Sequence, residues 1–126
     1  MIEAEHVADF LEKGLLDNLV SLFKSDRSLY SLLADLMIDE RIFVRVGASA
    51  LVETLVEEDP PGKRRSAEAL APLLKNENPT VRGDAAYLLG IVGLPESLPC
   101  LEAIKDDKND DVREAVSEAL ELIRSL

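Results

Sequence analysis

Apolar residues return every three or four positions through nearly all of the chain, and no stretch alternates long enough for a strand. The pattern predicts about eight helices. The first runs from about Glu3 to Lys13, with Val7, Phe10 and Leu11 on one face and Gly14 as its stop. The second spans about Leu15 to Lys24 and turns Leu15, Leu19, Leu22 and Phe23 inward. Asp26 caps a third, which carries Leu29, Leu32, Leu33 and Leu36 to about Ile38. A fourth extends from about Ile42 to Glu57, where EEDPPG breaks it because proline lacks an N–H and clashes with the preceding turn. Lys63 to Lys75 forms the fifth, with Ala67, Leu70, Leu73 and Leu74 inward. NPTVRGDAAYLLGIV (78–92) is the sixth, ended by Gly93; the seventh runs from Pro95 to about Lys105 and the eighth from about Asp110 to Arg124. Links this short make neighbouring helices antiparallel, which leaves a globular bundle or a stack of helix pairs.

Internal repetition decides between them. DERIFVRVGASALVETL from Asp39, NENPTVRGDAAYLLGIV from Asn76 and DKNDDVREAVSEALELI from Asp107 align without gaps around a Val-Arg pair. The arginines are Arg45, Arg82 and Arg113, 37 and then 31 residues apart, and the EEDPPG loop absorbs the difference. Counted from the arginine, position −1 is Val44, Val81 or Val112, and position +3 is Ala48, Ala85 or Val116. Position +7 is Val52, Leu89 or Leu120, and position +10 is Leu55, Val92 or Ile123, which completes one apolar stripe per helix. A cation in the first helical turn opposes the macrodipole, so each arginine needs an oxygen acceptor close by. Position −6 offers one in every copy: Asp39, Asn76 and Asp107. The expected result is a ladder of acceptors and guanidiniums, within a copy or between adjoining copies, with Asn76 the expected acceptor for Arg82.

These motifs resemble the HEAT-repeat family, and most closely its short phycobilisome-lyase (PBS lyase) form. NENPTVRGDAAYLLGIVGLPESLPCLEAIKD (76–106) matches that repeat almost end to end, supported by 39–75 and the half-repeat 107–126. The other copies depart at the site of Gly90, where Glu53 and Glu121 stand. The resemblance implies an all-α fold, a right-handed α-α superhelix of about eight helices forming a single domain over 1–126. Residues 1–38, which lack a Val-Arg pair, are read as an N-terminal cap and degenerate repeat, and 107–126 as a C-terminal cap.

Composition narrows the function classes. Aromatic residues are only 4% of the chain and Trp is absent, so the core is built from Leu, Val, Ile and Ala. The net charge of −11 repels phosphate backbones and anionic lipid, and residues 76–126 are the most acidic part, with 11 acidic and 5 basic side chains. The basic trio Lys63-Arg64-Arg65 is too short to reverse this, so neither nucleic acid nor membrane is an expected partner. One cysteine, Cys100, allows no intrachain disulfide, and the acidic start MIEAEHVADF lacks the apolar run of a secretory signal; a cytoplasmic location is expected.

No arrangement of residues points to catalysis. Iron-binding enzymes on HEAT repeats use recurring His-Glu pairs, whereas His6 is the single histidine here. Asp106/Asp107 and Asp110/Asp111 lack the order of a Ca²⁺ loop, and Asp110 and Asp111 fit a helix start. Cys100 has no histidine near it in sequence. The expected function is therefore a non-catalytic protein–protein interaction scaffold with no cofactor, binding mainly through the second helix of each pair (27–38, 63–75 and 95–105). Off the apolar stripes, Tyr30, Arg64, Glu68, Glu96, Ser97 and Lys105 are the expected partner contacts. The lyase resemblance implies the alternative of an accessory subunit acting on a bound tetrapyrrole. Nucleic-acid binding ranks below both.

Overall fold

Local chemistry starts and stops the helices much as the pattern predicts. The computed structural model describes residues 2–126, and the described residues form helices and turns with no strand. The α-helices are α1 (Ala4–Glu12), α2 (Leu16–Ser25), α3 (Leu33–Met37), α4 (Ile42–Glu58), α5 (Lys63–Leu70), α6 (Pro79–Val92), α7 (Leu98–Glu102) and α8 (Asp110–Arg124). Asn78 caps α6 by accepting from the Thr80 N–H, and Asn109 caps α8 by accepting from Asp111 and Val112. Gly93 ends α6 at φ 74°, in the left-handed region where a side chain would be strained.

The second helix of each pair departs from the simple reading. Residues 27–38 are a 3-10 helix, Arg27–Leu32, running into the short α3. Proline divides the other two. Pro60–Gly62 forms a 3-10 turn before α5, and Ala71–Lys75, which contains Pro72, continues it in 3-10 form. Pro95–Ser97 precedes α7, which stops at Glu102 instead of reaching Lys105. These elements are short and irregular, whereas α4, α6 and α8 are 17, 14 and 15 residues long.

The chain divides into two compact units, Met1–Ala69 and Leu70–Leu126. In the first, α4 is the central rod and packs against α1, α2 and α3. Gly47 lets it approach α1: a Cβ there would stand 3.2 Å from Leu11 Cδ2. Two residues expected in this core, Phe10 and Leu15, face solvent, while Val20 is buried. The turn explains Leu15: its N–H closes back onto the Phe10 carbonyl while its own carbonyl accepts from Leu19, so it caps α2 at the junction and does not sit on the inward face of that helix.

In the second unit α6 and α8 form the most extensive contact, with Ala71–Lys75 against α6 and α7 against α8. Close approach depends on Gly90, where a Cβ would stand 2.9 Å from Ala119 Cα. At the same register, Glu53 and Glu121 are exposed, which explains why glutamate is accepted there. All twelve stripe positions at −1, +3, +7 and +10 are buried. The repeat grammar therefore encodes the core directly.

Candidate interaction surface

Each repeat arginine reaches backward to the link that precedes its own helix. Arg45, Arg82 and Arg113 all donate through Nη1 to the backbone carbonyl of the residue six positions earlier, Asp39, Asn76 and Asp107 respectively. The cation thus meets backbone carbonyls in the link before its own helix, which supply the oxygen acceptors that offset its place in the first turn. The −6 side chain has another task. In all three copies it accepts from the backbone N–H two residues on, from Arg41, Asn78 and Asn109 at 2.9 Å each. This Asx turn sets the chain into the next helix.

The Asn76 side chain is therefore not the acceptor expected for Arg82. Its carbonyl is, together with that of Glu77 at 3.1 Å. The side-chain acceptor comes from the next copy: Arg82 forks onto Asp107, with Nε–Oδ2 2.9 Å and Nη2–Oδ1 3.0 Å. Both side chains are nearly buried, and the guanidinium holds the Asp107 carboxyl below the usual carboxylate range. Arg113, more open to solvent, pairs with exposed Asp110.

A second polar centre lies in the first unit, on a residue to which the sequence pattern gave no role. Asp59, in the loop after α4, is only 2% exposed. It accepts a fork from Arg27 (Nη2–Oδ1 2.6 Å, Nε–Oδ2 3.0 Å) and a 2.7 Å bond from Tyr30 Oη. The Arg27 bonds outweigh desolvation and lower the Asp59 pKa, whereas burial followed by the bond to Asp59 raises that of Tyr30. Gly62 leaves room for the phenol, since a Cβ there would overlap its hydroxyl. The Tyr30 ring meets Phe23 edge-on at 5.4 Å.

Because its folded-state pKa is raised, Tyr30 adds stability that is complete below about pH 10, the free-phenol value, and is lost as pH rises beyond it. In Tyr87→Phe, which leaves Tyr30 as the one tyrosine, phenolate absorbance is expected to appear only together with loss of helical circular dichroism. Titration near pH 10 with the helical signal intact would exclude the buried Tyr30–Asp59 bond.

Two of the expected partner contacts do not lie on the surface. Tyr30 is 1% exposed because the Arg27–Leu32 segment winds as a 3-10 helix, in which residues three apart eclipse, so it shares the inward face with Leu33. Ser97 is buried at the end of another 3-10 turn, where its carbonyl accepts from the Cys100 thiol. Arg64 and Glu68 are exposed one turn apart on α5, in the first unit. Glu96 and Lys105 are exposed in the second, Lys105 beside Glu102. The structure thus leaves four of the six positions at the surface, two in each unit.

The exposed apolar residues gather elsewhere. On α4, Ile42, Phe43 and Val46 are 60%, 74% and 62% exposed, and Ile38, just before the helix, is 47% exposed. Spacings of three and four residues place Ile42, Phe43 and Val46 on one ridge. A sequence signal for them exists in the repeat register. Positions −3, −2 and +1 are Ile42, Phe43 and Val46 in the first copy, against Pro79, Thr80 and Gly83 in the second and Asp110, Asp111 and Glu114 in the third. Beside Ile38 opens a groove also lined by Glu5, Asp35, Glu40 and Arg41. Isolated exposed apolar side chains are ordinary, but a helical ridge of three such residues, with a fourth just before the helix, is a mark of an interaction site.

The remaining reactive groups have structural places. His6 Nδ1 accepts from the Glu3 N–H at the start of α1. Burial raises the Cys100 thiol, which disfavours the thiolate a nucleophile needs. Among the described residues no three His, Cys, Asp or Glu side chains are grouped to hold a metal, and no helix is long and apolar enough to cross a membrane.

A family model described as HEAT repeats matches residues 49–121, more than half of the chain. No curated protein matches it.

Proposed function

We propose that this chain, which belongs to the HEAT-repeat family, is a non-catalytic module that holds a protein partner on the exposed apolar ridge of α4. HEAT repeats generally serve as protein-interaction scaffolds. What carries the reading for this chain is the ridge of Ile42, Phe43 and Val46, with Ile38 just before the helix, all left exposed among the described residues. Large apolar side chains left this exposed cost solubility, and a partner that covers them recovers the hydrophobic contribution. The exposed Arg64, Glu68, Glu96 and Lys105 are secondary contacts in this reading. The compact Arg82–Arg113 interval of 31 residues supports placing the repeats with the short phycobilisome-lyase-type form. A cytoplasmic setting suits the single free thiol.

The test is affinity capture from the native host with wild-type protein and with Phe43→Asp, compared by quantitative mass spectrometry. Phe43 is largely exposed, so the variant is expected to keep its helical spectrum and thermal midpoint within about 2 °C. At least one protein retained by the wild type should be depleted about tenfold in the Phe43→Asp capture. Identical retained proteins with both baits would remove α4 as the binding surface.

A further inference from the structure

We propose that the start of α4 docks a basic amphipathic helix, a partner segment with an apolar stripe flanked by lysine or arginine; this rests on the reading of the chain as an interaction module. The apolar half of the argument is geometric. Ile42, Phe43 and Val46 form a helical ridge, the feature that interdigitates with the grooves of a second helix. Other sides of α4 hold α1, α2 and α3, while this ridge is exposed among the described residues. Amphipathic helices dock through anchors at the same three- and four-residue spacing.

The electrostatic half selects the charge of the visitor. The groove beside Ile38 is lined by Glu5, Asp35, Asp39 and Glu40 against one cation, Arg41. Arg41 is already engaged: its guanidinium bonds Asp39, Asp9 and Glu12. Glu5, Asp35 and Glu40 carry no ion pair or side-chain hydrogen bond among the described residues, so their charge faces the groove uncompensated. A lysine or arginine flank would supply the missing cations while its apolar stripe covers the ridge. A second copy of this chain fits poorly, because each copy carries a net charge of −11 and presents the same acidic groove. Anionic lipid is disfavoured for the same reason.

Two labelled synthetic helices would serve as probes, with the same leucine stripe and either lysine or glutamate flanks, titrated by fluorescence anisotropy against the full chain. The lysine helix is expected to bind about tenfold more tightly at low salt, with the preference shrinking as salt is raised. Phe43→Asp and Val46→Asp should each weaken it about tenfold, while Leu122→Asp, at an exposed apolar site on α8, should leave it unchanged. The triple variant Glu5→Gln/Asp35→Asn/Glu40→Gln should keep binding but lose the preference for lysine. Equal binding of the two helices, or binding of neither, would overturn the proposal. So would a concentration-dependent dimer in sedimentation that Phe43→Asp abolishes, since the occupant would then be a second copy. The two readings fail separately. If host capture depends on Phe43 while the two helices bind alike, the basic-helix inference falls and the interaction module stands. If host capture is indifferent to Phe43, the α4 surface itself falls.

Discussion

Arg82→Ala is expected to lower the thermal midpoint by roughly 10 °C or more, whereas Arg64→Ala should shift it by no more than about 2 °C. Both remove one guanidinium, but Arg82 is buried and bonds the Asn76 and Glu77 carbonyls and the Asp107 carboxylate, whereas Arg64 is exposed. Its loss strands the Asn76 and Glu77 carbonyls and leaves Asp107 without its fork, all near the junction between the 71–75 segment and α6. An unpaired carboxylate with little solvent access is the costly outcome, more so than the lost attraction itself. Arg82→Lys should recover part of the midpoint, because a point charge cannot make the bidentate contact. Arg113→Ala should cost less than Arg82→Ala, since Arg113 is half exposed and its carboxylate partner, Asp110, is open to water. Thermal melts of the four variants decide the matter. Equal midpoints for Arg82→Ala and Arg64→Ala would remove the junction argument.

Asp59→Ala is expected to destabilise the first unit by about 3–5 kcal/mol, the usual cost of breaking a buried, hydrogen-bonded charged pair. It leaves the buried Tyr30 hydroxyl with no acceptor and frees the Arg27 fork. Tyr30→Phe should cost only ~1–2 kcal/mol, because Asp59 then keeps both Arg27 bonds. In Asp59→Ala/Tyr30→Phe the costs should be less than additive, the signature of a shared bond in a double-mutant cycle. The pH dependence has a definite sign. Asp59 titrates below its usual value in the folded chain, so its contribution is complete above about pH 4 and is lost as pH falls through the folded-state value. Asp39, Asp107 and Glu102 are shifted in the same direction by their arginine partners. Wild-type stability should therefore decline on acidification, and Asp59→Asn should decline less steeply across the same interval. Parallel acid limbs in urea titrations of the two proteins would contradict the assigned role of the carboxylate.

The residues that were legible in sequence share one property: a neighbour within the same helix or turn determines them. The stripe at −1, +3, +7 and +10 is buried in every copy because helical spacing alone brings those positions to one face. Asn78 and Gly93 bound α6 where local capping places them. The missed residues depend on partners far along the chain. Tyr30 turns inward to meet an acceptor 29 residues away, and it does so from a 3-10 helix whose period differs from the one used to assign faces. Asp59 looks no different in sequence from Glu57 and Glu58 beside it, both of which are exposed. The α4 ridge is a case between these. Its register departure was readable by comparing the three copies, but whether another element covers it is not a property of the register.

The sequence by itself determined that this is an all-helical chain of repeats with an arginine near the start of α4, α6 and α8, because a helix's period, caps and dipole are local consequences of residue order. Tertiary structure decided which acceptors those arginines take, that Asp59 binds Arg27 and Tyr30, and that Ile42, Phe43 and Val46 stay uncovered. Burial and long-range hydrogen bonding depend on which surfaces meet when helices pack, and that is a relation between segments that no single segment carries.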